Sequence, residues 1–291
     1  MRLKCERLFV ALLLLLTAGW QVSWATGEKG MLWKVEGAGK RPSYLLGTIH
    51  SGDPRVLRLP AVTQKAFVGA DSFSGEVEMD MNSMLQVSES MFYSDGSMLK
   101  DKLDPKLYQQ TVSLLAGYGL PEMIVQRMKP WAVATTLSLP KNSSGQVLDM
   151  QLYNDATMQG KRVYGLETVQ EQISALNGMS ERLQVEMVRS AVQQHPELDR
   201  INARLINAYL KQDLVALERI SEETLSKEDH SVAEAFTSEV VNKRNIRMLS
   251  RMQPRLREGN AFIAVGALHL PGKKGLLNLL RRKGYTVTPV Y

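Results

Sequence analysis

The sequence predicts an α/β fold, with α+β as the alternative, in which helices flank a central sheet and a helical insertion caps it. Short runs typical of strands cluster towards the two ends of the 291-residue chain. Long stretches with apolar residues three and four positions apart, typical of helices, lie between those runs. No Gly/Ser-rich linker interrupts the sequence, which favours one large domain over two small ones.

The first 25 residues form a separate segment. Three basic residues precede the apolar run 8–16, and Ser23-Trp24-Ala25 resembles the small-residue end of a secretory signal. We therefore expect cleavage after Ala25 and a periplasmic or secreted protein. The apolar run is too short for a membrane span of about 20 residues, so membrane contact is expected only through this segment if it stays uncleaved. The single cysteine, Cys5, leaves with the signal, so any metal in the exported protein must bind to His, Asp or Glu.

Strands and helices follow from local patterns along the rest of the chain. Apolar runs bounded by Gly, Pro or polar residues predict strands at 32–35, 44–46, 73–77, 162–164, 262–265 and 286–290. Apolar spacing predicts helices at 105–116, 122–139, 147–158, 170–194, 198–210, 214–220 and 231–251. Pro130 is expected to bend or break the second helix. We assign residues 26–291 to one domain, with a helical insertion at about 82–160 and a helical region at about 169–258.

The charge distribution argues against nucleic-acid binding. Lys and Arg number 36 against 30 Asp and Glu, but no dense basic tract interleaved with aromatic residues occurs. The basic residues near the C-terminus are spaced as on the solvated face of a helix. We therefore expect no nucleic-acid partner.

Two histidines end the same short pattern. Residues 47–50 read GTIH and residues 266–269 read GALH, and each motif follows an apolar strand and precedes a turn signal. Side chains at the carboxyl ends of strands in an open α/β sheet point into the crevice where ligands bind. His50 and His269 are therefore expected to face one site, although a buried hydrogen bond near each strand end is the alternative.

Several carboxylates could complete such a site. Glu76, Glu78 and Asp80 alternate along a strand-like segment and should share one face. Three like charges on one face repel each other, so the face is either solvated or neutralised by Arg or a metal ion. In the second case Glu76 or Glu78 acts as a metal ligand or a general base. Glu167 follows the strand at 162–164 and is either a further metal ligand or a carboxylate stabilised at a helix N-terminus.

A cation and an amide on the predicted helix 231–251 are also candidates for the site. Arg244 and Asn245 could bind a substrate carboxylate or an anionic transition state. An exposed salt bridge is the alternative.

The order and spacing of these segments resemble the TraB/GumN/PrgY family, over nearly the whole chain after residue 25. That family is related to the Tiki metalloproteases that trim Wnt proteins, and more distantly to erythromycin-esterase-like and ChaN-like proteins. The resemblance lies in the residues GTIH with Asp53-Pro54, a Glu-bearing strand after Ala70-Asp71, GLET at 165–168, Arg244-Asn245, VGALHL at 265–270 and KGYTV at 283–287.

The resemblance implies an α/β domain with a divalent-metal peptidase site built from two Gly-x-x-His histidines and a strand glutamate. His50 and His269 match the histidines, and Glu76 best matches the glutamate, with Glu78 as the alternative. GLET and Arg244-Asn245 match other polar positions of the family.

We therefore expect an exported metal-dependent hydrolase, with a peptidase acting on a peptide or protein favoured. His50 and His269, with Glu76 or Glu167, would hold Zn, Mn or Co. A second carboxylate would take a proton from bound water, and Arg244 would stabilise the oxyanion. The alternatives are a non-catalytic periplasmic protein that sequesters a peptide or haem, and a metal-free His/Glu esterase. The oligomeric state is left open.

Overall fold

The computed structural model describes residues 29–37, 41–140, 147–227 and 230–290. The expected signal segment, residues 1–25, with its cleavage site and Cys5, lies outside these ranges. Among the helices of the described ranges, none combines the length and the apolar character that crossing a bilayer requires.

A six-stranded mixed sheet forms the centre of the fold and confirms the α/β prediction. The strands lie in the order β4-β3-β5-β2-β1-β6, with β4, β3, β5 and β2 parallel and β1 antiparallel to both of its neighbours. Their bounds are β1 Leu32–Glu36, β2 Ser43–Thr48, β3 Ser72–Gly75, β4 Arg162–Gly165, β5 Ala261–Gly266 and β6 Thr286–Pro289.

Strand β5 lies at the centre of the parallel part and is buried along its whole length. Its sequence AFIAVG is a nearly continuous apolar run, as expected for a strand covered on both faces. The neighbouring strand β2 pairs with it in parallel, with Gly47 opposite Val265 and Thr48 opposite Gly266. Both Gly-x-x-His segments therefore leave the sheet side by side at the same edge.

Helices cover the sheet and fill the long interval between β3 and β5. They are α1 Pro54–Leu57, α2 Ala61–Val68, α3 Met81–Ser90, α4 Pro105–Ala116, α5 Glu122–Val125, α6 Pro130–Leu137, α7 Leu148–Met158, α8 Val169–Asn177, α9 Glu181–Gln194, α10 Leu198–Leu210, α11 Leu214–Leu225, α12 His230–Phe236, α13 Lys243–Glu258 and α14 Leu276–Arg282.

Two of the predicted helices are interrupted at residues that favour an interruption. Pro130 opens the first turn of α6, a position where its missing N–H costs nothing, so the predicted helix 122–139 becomes two helices. The predicted helix 170–194 is divided at Gly178, the C-cap of α8. The helix predicted at 231–251 is continuous but contains a π-helical segment, Thr237–Asn242, immediately before α13.

Apolar side chains pack in two clusters. One surrounds the sheet and includes Trp33, Phe73 and Phe262. The other lies among the helices and includes Trp131 and Met128, which are fully buried. Polar side chains buried at the carboxyl edge of the parallel strands form the candidate site.

Candidate active site

The two Gly-x-x-His segments are in contact where β2 and β5 end. A Cβ atom added to Gly47 would lie 2.8 Å from Leu270 Cδ1 and 3.1 Å from Ala267 Cα. Glycine at position 47 therefore permits the short 3-10 turn Ala267–His269 to pack directly against β2. This close approach gives a physical reason for the glycine of the first Gly-x-x-His segment.

His269 is completely buried, and its orientation is fixed by Asn245 in the first turn of α13. The amide Nδ2 of Asn245 donates to the carbonyl of Lys274 at 2.8 Å and to that of His269 at 3.4 Å. Its Oδ1 therefore faces the imidazole and accepts from His269 Nδ1 at 2.6 Å. The lone pair of the ring is consequently on Nε2, which has no hydrogen-bond partner within the described part of the chain.

The surroundings of His269 keep it neutral. Burial lowers its pKa to about 3, the carboxylate of Glu76 acts in the opposite direction, and the charges of Arg244 and His50 lower it further. Nε2 lies 3.7 Å from Oε1 of Glu76. A neutral imidazole lone pair thus lies beside a carboxylate in a site shielded from water.

Glu76 follows the last residue of β3 and is also buried. Its Oε1 accepts from the backbone N–H of Gly266 at 2.7 Å, and its Oε2 accepts from Arg244 Nη2 at 2.6 Å and from Gln172 Nε2 at 3.1 Å. Burial alone would raise its pKa, but the charge of Arg244, the charge of His269 and the bond from Gly266 lower it to about 2. Glu76 is therefore ionised at neutral pH.

Arg244 connects two buried carboxylates. Its Nη2 binds Glu76, and its Nε donates to Glu167 Oε2 at 2.7 Å. The other oxygen of Glu167 accepts from Arg247 Nη1 at 2.8 Å. Arg244 thus forms a buried ion pair rather than the exposed salt bridge considered above, and its guanidinium faces carboxylates. Two arginines therefore hold the carboxylate of Glu167. Its backbone N–H donates to the Glu76 carbonyl at 2.7 Å, just beyond the ends of β3 and β4, which places the two glutamates side by side.

His50 has a different carboxylate partner. Its Nδ1 lies 3.6 Å from Oδ2 of Asp149, the second residue of α7, and Thr48 Oγ1 donates to Oδ1 of Asp149 at 2.7 Å. All three side chains are buried. Burial raises the pKa of Asp149, while His50 and Thr48 act in the opposite direction. Nε2 of His50 and Oδ2 of Asp149 have no hydrogen-bond partner among the described residues.

The charge of His50 alters the pKa values of Glu76, Asp149 and His269. The four side chains therefore lie close enough to interact electrostatically, and the structure brings the two distant histidines into one site.

Two of the predicted carboxylates are arranged differently from the expectation. Because β3 ends at Gly75, Glu76, Glu78 and Asp80 do not share the face of one strand, and that prediction is wrong. Glu78 is exposed, and its Oε1 accepts from the N–H of Gly165 at 3.4 Å. Asp80 caps α3 by accepting from Ser83 N–H.

Asp149 was missed by the sequence reasoning, although a signal was present. It is spaced three and seven residues before Leu152 and Ala156, which places a carboxylate on the apolar face of a helix. A charged residue at such a position is seldom buried without a partner. That spacing could have identified Asp149 as a candidate.

The site opens on a mostly apolar cavity of about 230 Å³. Thr48, His50 and Ala267 contribute to its wall at the sheet edge. Side chains of the surrounding helices form most of the rest.

Comparison with known proteins gives a family match over residues 31–289, to the TraB/PrgY/gumN family. The chain belongs to this family. It is similar to Metalloprotease TIKI1 of Danio rerio, with 28% identity over 298 residues that cover 84% of this chain and 60% of the relative. Human Metalloprotease TIKI1 is 26% identical over 299 residues, which cover 84% of this chain and 59% of that protein. The chain thus spans about three fifths of the length of these relatives.

A bacterial relative of similar length also matches. The uncharacterized protein YbaP of Shigella flexneri is 24% identical over 250 residues, which cover 84% of this chain and 89% of that protein. No solved structure gives a significant match.

Because TIKI1 is named a metalloprotease, the donor atoms of this TraB-family site can be compared with a metal centre. Among the residues that the structure describes, no three His, Cys, Asp or Glu side chains are arranged to hold one ion. His269 Nε2 and Glu76 Oε1 are 3.7 Å apart, close to the separation of about 3.3 Å for two ligands of a tetrahedral zinc ion. The Nε2 atoms of His50 and His269 have no hydrogen-bond partner in the described ranges, and an imidazole nitrogen is a common metal ligand. The donor chemistry fits a metal ion, whereas a third ligand is not at bonding distance.

Proposed function

We propose that this protein is an exported, metal-dependent peptidase that uses His50, His269 and Glu76 to hold a divalent ion. The observation that carries the proposal is the buried, unpartnered Nε2 of His269 beside the ionised carboxylate of Glu76, with a second unpartnered Nε2 on His50. Similarity to proteins named metalloproteases supports the same function. The imidazole and carboxylate donors suit Zn, Mn and Co.

The residues around the donors would prepare the site. A bound divalent ion polarises a carbonyl and lowers the pKa of water. Asn245 binds Nδ1 of His269 at 2.6 Å, and Asp149 lies 3.6 Å from Nδ1 of His50. The hydrogen bond to Asn245 favours the His269 tautomer that presents Nε2, as outer partners of metal-bound histidines generally do.

Arg244 keeps Glu76 ionised, so that this carboxylate can bind a cation at neutral pH. In the structure each nitrogen of this guanidinium already donates one hydrogen bond, to Glu167, Glu76 or the Val240 carbonyl. We therefore assign Arg244 a positioning role in place of the oxyanion contact expected from the sequence. Asp149, with a pKa raised by burial and one unpartnered oxygen, is the better candidate to accept a proton beside His50.

The proposal is tested on the full chain, expressed with residues 1–25 and recovered from the exported fraction. N-terminal sequencing should begin at Thr26. Metal content and the binding of Zn, Mn and Co are measured by mass spectrometry and calorimetry, and cleavage of a mixed peptide library is measured with and without a chelator. Cleavage that requires metal is the expected result.

Single substitutions then assign the ligands. His50→Ala and His269→Ala should each abolish metal binding and cleavage, whereas His230→Ala should change neither, because the His230 side chain is 85% exposed. Unchanged metal binding in both site variants would overturn the proposal. Stoichiometric peptide or haem uptake without product would identify a sequestering protein, and cleavage of esters that a chelator does not inhibit would identify a metal-free esterase.

A further inference from the structure

The cavity beside His50 is long and mostly apolar. Along α10 its wall extends from Leu198 to Ile206, and along α11 it extends from Leu217 to Leu225. Eight residues of helix span about 12 Å. A cavity of about 150 Å³ already holds a benzene molecule, so about 230 Å³ accommodates a group larger than one aromatic ring.

The cavity is continuous with the candidate site. His50 and Ala267, which belong to the two Gly-x-x-His segments, line the same space as Ala191 on α9 and Phe236 on α12. A ligand that reaches the unpartnered Nε2 of His50 can therefore place an adjoining apolar group between these helices.

The mostly apolar wall also contains polar side chains, and one of them distinguishes between ligand classes. Asn202 lies on α10, and its Nδ2 is buried with no hydrogen-bond partner in the described residues. A buried donor without an acceptor is costly, and a ligand that supplies an acceptor recovers that cost. A peptide carries one carbonyl oxygen per residue, whereas the tail of a fatty acyl chain carries none.

We propose that this cavity binds the apolar side chains of a peptide next to the bond to be cleaved, while Asn202 donates to one of the peptide carbonyls. The assignment of cleavage rests on the proposed peptidase function, but the binding does not. The apolar lining excludes charged side chains, since burying a charge without a partner is strongly unfavourable.

Binding is measured by calorimetry on the full chain with three probes: acetyl-Leu-Leu amide, acetyl-Asn-Asn amide and decanoate. Two variants fill the cavity, Ala191→Phe and Thr224→Phe. Gln193→Phe is the matched control, because it adds the same ring to α9 at an exposed position outside the cavity lining. Asn202→Leu removes the donor at similar volume, and thermal unfolding checks that each variant is folded.

The Leu-Leu probe should bind the wild type and Gln193→Phe with equal affinity. It should bind each folded filling variant at least tenfold more weakly. Its affinity for Asn202→Leu should fall about tenfold, which corresponds to the loss of one hydrogen bond. The Asn-Asn probe should bind more weakly than the Leu-Leu probe. Decanoate that binds more tightly than the Leu-Leu probe and is unaffected by Asn202→Leu would overturn the proposal in favour of an acyl chain. No binding of the Leu-Leu probe to the wild type would also overturn it.

Cleavage assays separate this inference from the proposed function. Binding of the Leu-Leu probe without cleavage of any peptide would contradict the peptidase and leave the cavity assignment intact. Metal-dependent cleavage with equal kcat/KM for apolar and polar residues beside the cleaved bond would support the peptidase and contradict the cavity assignment.

Discussion

Replacing Arg244 by leucine is a direct test of the electrostatics of the site. In the wild type the guanidinium donates to Glu76 at 2.6 Å and to Glu167 at 2.7 Å, and the side chains of all three residues are at most 8% exposed. After the substitution Glu167 keeps its bond to Arg247. Glu76 keeps the N–H groups of Gly266 and Gln172 but loses its ion pair.

Breaking a buried ion pair by removing one partner costs about 3–5 kcal/mol. For a protein of this size 1 kcal/mol corresponds to about 2–4 °C in Tm, so Arg244→Leu should lower Tm by about 10 °C. Arg247→Leu is the matched control, and because its side chain is 33% exposed it should cost only about 1 kcal/mol or less.

The pH dependence of this loss has a definite sign. In the wild type the pKa of Glu76, about 2, is below its ordinary value of 4.5, so its stabilising contribution is present above pH 4.5 and is lost as pH falls towards 2. Without Arg244, burial should raise the pKa above 4.5, so that protonation stabilises the folded state as pH falls. The difference in unfolding free energy between variant and wild type should therefore shrink between pH 7 and pH 4.

Urea unfolding in the presence of a chelator, followed by circular dichroism, measures both the loss of unfolding free energy and its dependence on pH. Adding Glu76→Gln to Arg244→Leu should recover about 2 kcal/mol, since the double variant has no unpaired charge at position 76. A stability of Arg244→Leu within 1 kcal/mol of the wild type at pH 7, or no recovery from the second substitution, would contradict this role of Arg244.

Three further outcomes are expected. Asn245→Leu should weaken metal binding by about 10–100-fold, because His269 loses the partner that fixes its tautomer; unchanged affinity by calorimetry would contradict this. Since the pKa of His269 falls from 6.5 to about 3 on folding, stability should decrease by up to about 1.4 kcal/mol per pH unit below pH 6.5, and urea titrations of His269→Gln should lack that part of the slope. Gly47→Ala should cost about 1–3 kcal/mol through its clash with Ala267, whereas Gly75→Ala, whose added Cβ would have no contact closer than 3.4 Å, should unfold near the wild-type temperature.

Much of the fold was predictable because local patterns and tertiary packing agree. The apolar run of β5 and the helix 198–210 appear in the structure as the sequence indicates. The prediction failed after β3, where the alternation of Glu76, Glu78 and Asp80 imitates a strand. Asp80 instead caps α3, a contact with backbone groups that follow it in the chain.

The sequence by itself determined that two Gly-x-x-His segments follow apolar strands, and hence that two histidines leave the sheet at strand ends. Only the tertiary structure decided what surrounds them, namely Asn245 on His269, Asp149 near His50, and Arg244 between Glu76 and Glu167. Local periodicity depends on contacts within a few residues, whereas Glu76 and Arg244 are 168 positions apart. Such pairs exist only because the parallel strands and α13 bring distant polar groups into one buried region, where an unpaired charge would be unfavourable.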